Sequence, residues 1–137
     1  MRLVCVVLAS VALLCGVAFA AAAKLSTPSS ARVGEKVTAK GSRLKPSRYA
    51  LTLSLDNTAG PRTACVARVG HQQDAVGGRV TITGRIPPRL RCWENDSVRL
   101  GKIKVTPGKY HLILGHPDGP SGFGPGSFVR RPLTIRR

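Results

Sequence analysis

A two-residue alternation of apolar and polar side chains recurs along this chain and sets what it can fold into. In residues 49–55, Tyr49, Leu51, Leu53 and Leu55 fall on one side and Ala50, Thr52 and Ser54 on the other. That period belongs to a strand with one buried face. The same pattern returns in residues 109–114, where Tyr110, Leu112 and Leu114 are in phase, and in residues 79–83, which stop at Gly84. Val37-Thr38-Ala39 gives a strand over 35–40 that stops at Gly41, and a weaker strand over 63–69 holds Cys65. Residues 98–105 read as a strand with Leu100, Lys102 and Lys104 on one side and Ile103 and Val105 on the other. Residues 128–135 close the chain, and Pro132 marks them as an edge strand. No window beyond residue 23 sustains the 3.6-residue period of a helix. About seven short strands, with Gly/Pro turns every 8 to 12 residues or so, predict an all-β sandwich.

The first 23 residues stand apart. Met1 and Arg2 precede an uncharged apolar run, residues 3–17, then Ala18-Phe19-Ala20 and Ala21-Ala22-Ala23 ahead of Lys24. A basic start, a helical apolar core and overlapping A-x-A sites make a secretory signal peptide. Residues 1–23 are therefore expected to be removed. The mature protein is expected outside the cytoplasm, secreted or held at the cell envelope, with no transmembrane segment after cleavage. Two other readings fit the same residues. About 20 apolar residues span a bilayer, which allows an uncleaved anchor. Cys15 ends an apolar stretch as a lipidated cysteine does, although Leu14 stands where such sites favour a small side chain. Residues 24–31, polar and holding Pro28, read as a flexible leader to a domain over 32–137.

Cys5 and Cys15 leave with the signal, so Cys65 and Cys92 remain. Two cysteines in an exported chain most often pair. Closing the loop between them would stabilise the fold by about 3 kcal/mol in the chain-entropy model. A reactive or metal-binding thiol pair is the alternative, but neither a C-x-x-C spacing nor clustered histidines accompany them.

Two segments echo each other: Pro46-x-x-Tyr49-x-Leu51-x-Leu53 and Pro107-x-x-Tyr110-x-Leu112-x-Leu114. They read as one recurring solution, a proline-fixed turn feeding an amphipathic strand headed by tyrosine. Gly34-x-x-Val37-Thr38-x-x-Gly41-x-x-Leu44-x-Pro46 resembles the opening hairpin of bacterial immunoglobulin-like domains of the IPT/TIG type. That resemblance covers this hairpin only. It implies an exported immunoglobulin-like β-sandwich of the kind often appended to other modules. A looser similarity runs to the secreted chromoprotein apoproteins of the neocarzinostatin group, which bind an apolar ligand in a cleft. Those have two disulfides and are acidic, whereas this chain has one cysteine pair and is basic, so the ligand does not carry over.

Charge is the other strong constraint. The chain holds 22 Lys+Arg against 6 Asp+Glu, a formal +16. Such a surface is drawn to polyanions. GC-rich coding explains arginine over lysine, but not why so few acids remain. Lys36, Lys40, Arg43, Lys45 and Arg48 gather around the first hairpin. Arg85, Arg89 and Arg91 surround Pro87-Pro88, Lys102 and Lys104 follow Arg99, and Arg130 and Arg131 lie near the end. These residues other than Arg99, twelve in all, are the candidate polyanion-binding set. The expected partner is an anionic envelope polymer or an acidic protein. Nonspecific nucleic-acid binding follows from charge alone, while the few aromatics argue against a dedicated single-strand platform.

Catalysis finds little footing. His111 is expected to face solvent, His71 to sit in a turn, and His116 to stand beside Asp118 with no third partner. Glu94-Asn95-Asp96 lacks the spaced acids of a cation loop. No phosphate loop, nucleophile elbow or H-E-x-x-H is present. A non-enzyme without cofactor or metal is expected. The Gly/Pro-rich loop 115–126 supplies the alternative function. Phe123, its only large apolar side chain, would contact a small apolar ligand carried there.

Overall fold

The computed structural model describes residues 22–55, 63–94, 98–117 and 129–137, so nearly all of the expected signal segment lies outside it. Among the described residues every regular element is a strand. In order they are β1 (Lys24–Ser26), β2 (Ser30–Arg32), β3 (Lys36–Ser42), β4 (Arg48–Leu55) and β5 (Thr63–Asp74). Then come β6 (Val80–Arg85), β7 (Arg89–Glu94), β8 (Val98–Lys104), β9 (Gly108–Gly115) and β10 (Val129–Arg136). They form a three-stranded sheet, β1-β3-β6, and a seven-stranded sheet, β2-β10-β9-β4-β5-β7-β8. β2 runs parallel to β10, and the other ladders are antiparallel.

Alternation accounts for the layering. β3 buries Val37 and Ala39 and exposes Lys36, Thr38 and Lys40. β6 buries Val80 and Ile82. From the longer sheet, Leu51, Leu53, Val69, Leu90, Leu112, Leu114 and Leu133 join them in one core. Each sheet thus gives one face to a shared apolar interior and turns the other outward. Cys65 and Cys92 lie directly opposite on β5 and β7 and are disulfide-bonded across a separation of 27 residues.

The two Pro-x-x-Tyr segments make the same corner. Tyr49 donates its hydroxyl to the Lys45 carbonyl at 2.9 Å. Tyr110 donates to the Thr106 carbonyl at 2.8 Å and accepts from the Thr106 amide at 3.1 Å. In both, a proline follows the bonded residue and fixes the backbone there. Both rings are buried, so each hydroxyl satisfies a turn while its ring fills the core.

Several elements differ from the sequence expectation. Residues 24–31 are built into the sheets: β1 pairs with β3, β2 pairs with β10, and Leu25 and Ala31 are buried. Gly84 does not end β6. It lies inside the strand because β5 passes so close that a Cβ there would meet the Gly70 backbone. Gly70 itself has φ +70° where the β4–β5 register shifts. β10 is not the edge, since β2 lies beyond it. Pro132 is tolerated for a local reason. The Thr134 amide donates to Ser29 on the β2 side, so the Pro132 nitrogen two residues earlier faces that side too. β2 pairs only with residues 134–136, and no ladder bond is lost. In β8, Gly101 has φ +112° at a bulge that pairs Cys92 with Gly101 and Trp93 with Arg99. Leu100 is thereby thrown out of phase with Lys102 and Lys104.

Candidate functional site

β7 is where the structure and the sequence reading part most usefully. Arg89-Leu90-Arg91-Cys92 alternates exposed and buried, and the cations are its outward residues. Cross-strand register sets Arg89 opposite Lys104 and Arg91 opposite Lys102 on β8. Side chains so placed stand about 5 Å apart at Cβ, and like charges there repel. On the other flank, Arg91 is opposite Val66 of β5, and Arg68 is opposite Thr52 of β4. Trp93 shares this outward face, and the Arg99 guanidinium lies 5.2 Å from its ring centroid, a cation–π contact. Six cations thus share the outward face of β5-β7-β8. Among the described residues the ion pairs are Arg48–Asp74 at 3.2 Å and Arg136–Glu35 at 3.9 Å, and neither involves these six.

A groove of about 360 Å³ runs between them, lined by Thr52, Val66, Arg68, Arg91, Trp93 and Lys102 among others. Its floor is covered: Val66 is 7 % exposed and Thr52 2 %. Ala50 and Ile113, farther along the same outward face, are buried as well, so β4 and β9 are covered on both sides. Thr52 Oγ1 is buried without a hydrogen-bond partner among the described residues. Arg68 reaches the Pro117 carbonyl at 3.4 Å, and partial burial pulls its guanidinium below the usual pKa. An arginine remains charged under such a shift.

The twelve cations expected to act together are divided between faces. Arg89, Arg91, Lys102 and Lys104 belong to the face just described. Lys36, Lys40 and Arg85 lie on the outward face of the three-stranded sheet, across the core from it. There Arg85 donates to the Gly34 carbonyl at 3.0 Å, and the Thr38 and Thr83 hydroxyls are bonded at 2.9 Å. Arg43, at φ 56°, and Lys45 are exposed between β3 and β4, and Arg48 is engaged by Asp74. Arg130 stands on β10 opposite Ile113, while its neighbour Arg131 donates to the Leu25 carbonyl at 2.9 Å. Arg68, Arg99 and Trp93 were not in that set. Their signal was phase: Cys65 and Val69 point inward, which forces Val66 and Arg68 outward.

His116 is arranged for packing. His116 Nδ1 lies 2.9 Å from Ser47 Oγ, and its ring stacks on Tyr49 at 5.2 Å. His111 is half-buried, opposite Ser54 and Pro132, rather than open to solvent. His71 sits within β5 rather than in a turn, and is exposed. Among the described residues no group of three His, Cys, Asp or Glu could hold a metal ion. Asp118, Asn95, Asp96, Phe123 and most of loop 115–126 lie outside the described residues.

No family model and no curated protein matches the chain. Among solved structures it is similar to macromomycin, with a TM-score of 0.54 at 14 % identity, over 84 % of this chain and 100 % of that one. At that identity the likeness is one of β-fold alone.

Proposed function

We propose that the protein is an exported, non-catalytic binding domain that holds an anionic polymer of the cell envelope on the outward face of β5-β7-β8. The observation that carries this reading is the pair of opposed cations, Arg89 with Lys104 and Arg91 with Lys102. Two like-charged pairs set face to face cost stability unless an anion lies between them. A linear polyanion also matches the geometry, because outward residues repeat about every 6.6 Å along each strand. The Cys65–Cys92 bond fits an oxidising compartment, and among the described residues no helix is long and apolar enough to cross a membrane. Two sheets around one core support reading the domain as an immunoglobulin-like sandwich.

The test is co-sedimentation of the oxidised protein with isolated envelopes across a salt series. Binding should be strong at low salt and gone by about 0.5 M, where the Debye length is only a few ångströms. Replacing Arg89, Arg91, Lys102 and Lys104 together by alanine should weaken it at least about tenfold. The same change at Lys36 and Lys40 should weaken it less than about threefold. Absence of binding at low salt, or equal losses from the two faces, would remove the proposal.

A further inference from the structure

The groove beside these cations is more than a charged surface. We infer that it is a subsite for one acidic sugar unit of the polymer, a pyranose ring bearing a carboxylate or phosphate. This rests on the polyanion reading above and adds the shape of the repeating unit to its charge.

Three features separate the groove from a simple cationic strip. Val66 in its floor and the half-buried Trp93 in one wall are apolar. A bare phosphate chain gains nothing from such a wall. A sugar ring does, because its C–H face packs on an aromatic or aliphatic surface while its edges carry hydroxyls and charge. The second feature is Thr52, a residue lining the groove whose hydroxyl is buried and lacks a partner. Natural folds rarely leave such a group unpaired, and a ligand hydroxyl would complete it. The third is the rim. Arg68 and Arg91, on the adjacent strands β5 and β7, both line the groove with planar guanidinium groups, and Lys102 adds a third positive charge. Guanidinium forks match carboxylate and phosphate oxygens two at a time. Arg99, held against the indole, extends the platform beyond the groove. The volume stands at the small end for ligand sites and suits a single ring.

Trp93 is the only tryptophan in the chain, so its fluorescence reports on this wall alone. Four probes should be titrated into the oxidised protein at about 0.3 M salt, where exposed charges are largely screened. They are a uronate tetrasaccharide, a neutral tetrasaccharide of the same linkage, linear tetraphosphate and a thymidine tetranucleotide. The uronate should bind about tenfold more tightly than tetraphosphate and shift the Trp93 emission. The neutral sugar should bind more weakly than the uronate. Thr52→Val keeps the side-chain shape and should leave the fold at least as stable, yet lower uronate affinity about fivefold. It should not change tetraphosphate binding. Trp93→Ala should erase the preference for the sugar while low-salt polyanion binding survives. Equal affinity for uronate and tetraphosphate, tighter binding of the tetranucleotide, or indifference to Thr52→Val would each overturn the sugar subsite. Failure of every anion to bind at low salt would instead overturn the underlying polyanion reading.

Discussion

Tyr110 is the residue whose chemistry is most sharply placed. Its ring lies in the core, and its hydroxyl both donates to the Thr106 carbonyl and accepts from the Thr106 amide. Tyr110→Phe would keep the ring and strand both backbone groups at the mouth of the β9 turn. The expected cost is about 1–3 kcal/mol, read as a lower urea midpoint with an unchanged slope. Tyr49→Phe should cost less. Tyr49 makes one such bond rather than two, and stacking on His116 needs no hydroxyl. Wild-type stability of Tyr110→Phe would mean that the proline, not the tyrosine, sets the corner. The sequence echo shows the two tyrosines and prolines. It cannot show the accepting carbonyl, because backbone acceptors leave no trace in residue identity. Thr52 illustrates the same limit from the other side. Its outward phase is legible, but its burial depends on what the fold lays over that face.

Elements were legible in proportion to how much of their own pattern they carry. β4, β6 and β9 alternate over enough residues to announce both the strand and its buried side. β1 and β2 have three residues each, too few for a period, and their conformation is set by β3 and β10. Only Leu25 hints that the supposed leader is anchored. It is 2 % exposed, packed in the core, and its carbonyl receives Arg131. Leu25→Ala should therefore cost about 2–4 kcal/mol in denaturant unfolding, a core penalty. A change of less than about 0.5 kcal/mol would return residues 24–31 to the status of a leader. β7 failed for a different reason. Its alternation is complete but short, and arginine on the outward face with Pro87-Pro88 before it makes the segment stand out as a cluster of cations rather than as a strand. β8 was found, with its phase misread, because the bulge at Gly101 depends on how β7 pairs with it.

At the scale of the whole molecule, a formal +16 on one small domain is distributed by the sheets rather than by the chain. Basic residues that look like successive clusters in sequence are sorted by phase onto two outward faces with the core between them. One face holds the opposed pairs of β7 and β8, and the other holds Lys36, Lys40 and Arg85. On the polyanion reading proposed above, two basic faces pointing apart would join one polyanion strand to another. A long polyanion mixed with the protein near charge equivalence should therefore turn cloudy at low salt and clear when salt is added. Lys36→Glu with Lys40→Glu reverses the charge of the weaker face without touching the core. It should abolish the turbidity and leave binding of a short anionic oligomer within about threefold of the original. Light scattering and oligomer titration on the same samples separate the two effects. Turbidity that survives the double change would show that bridging needs no second face, and that neutralising the charge alone condenses the complex.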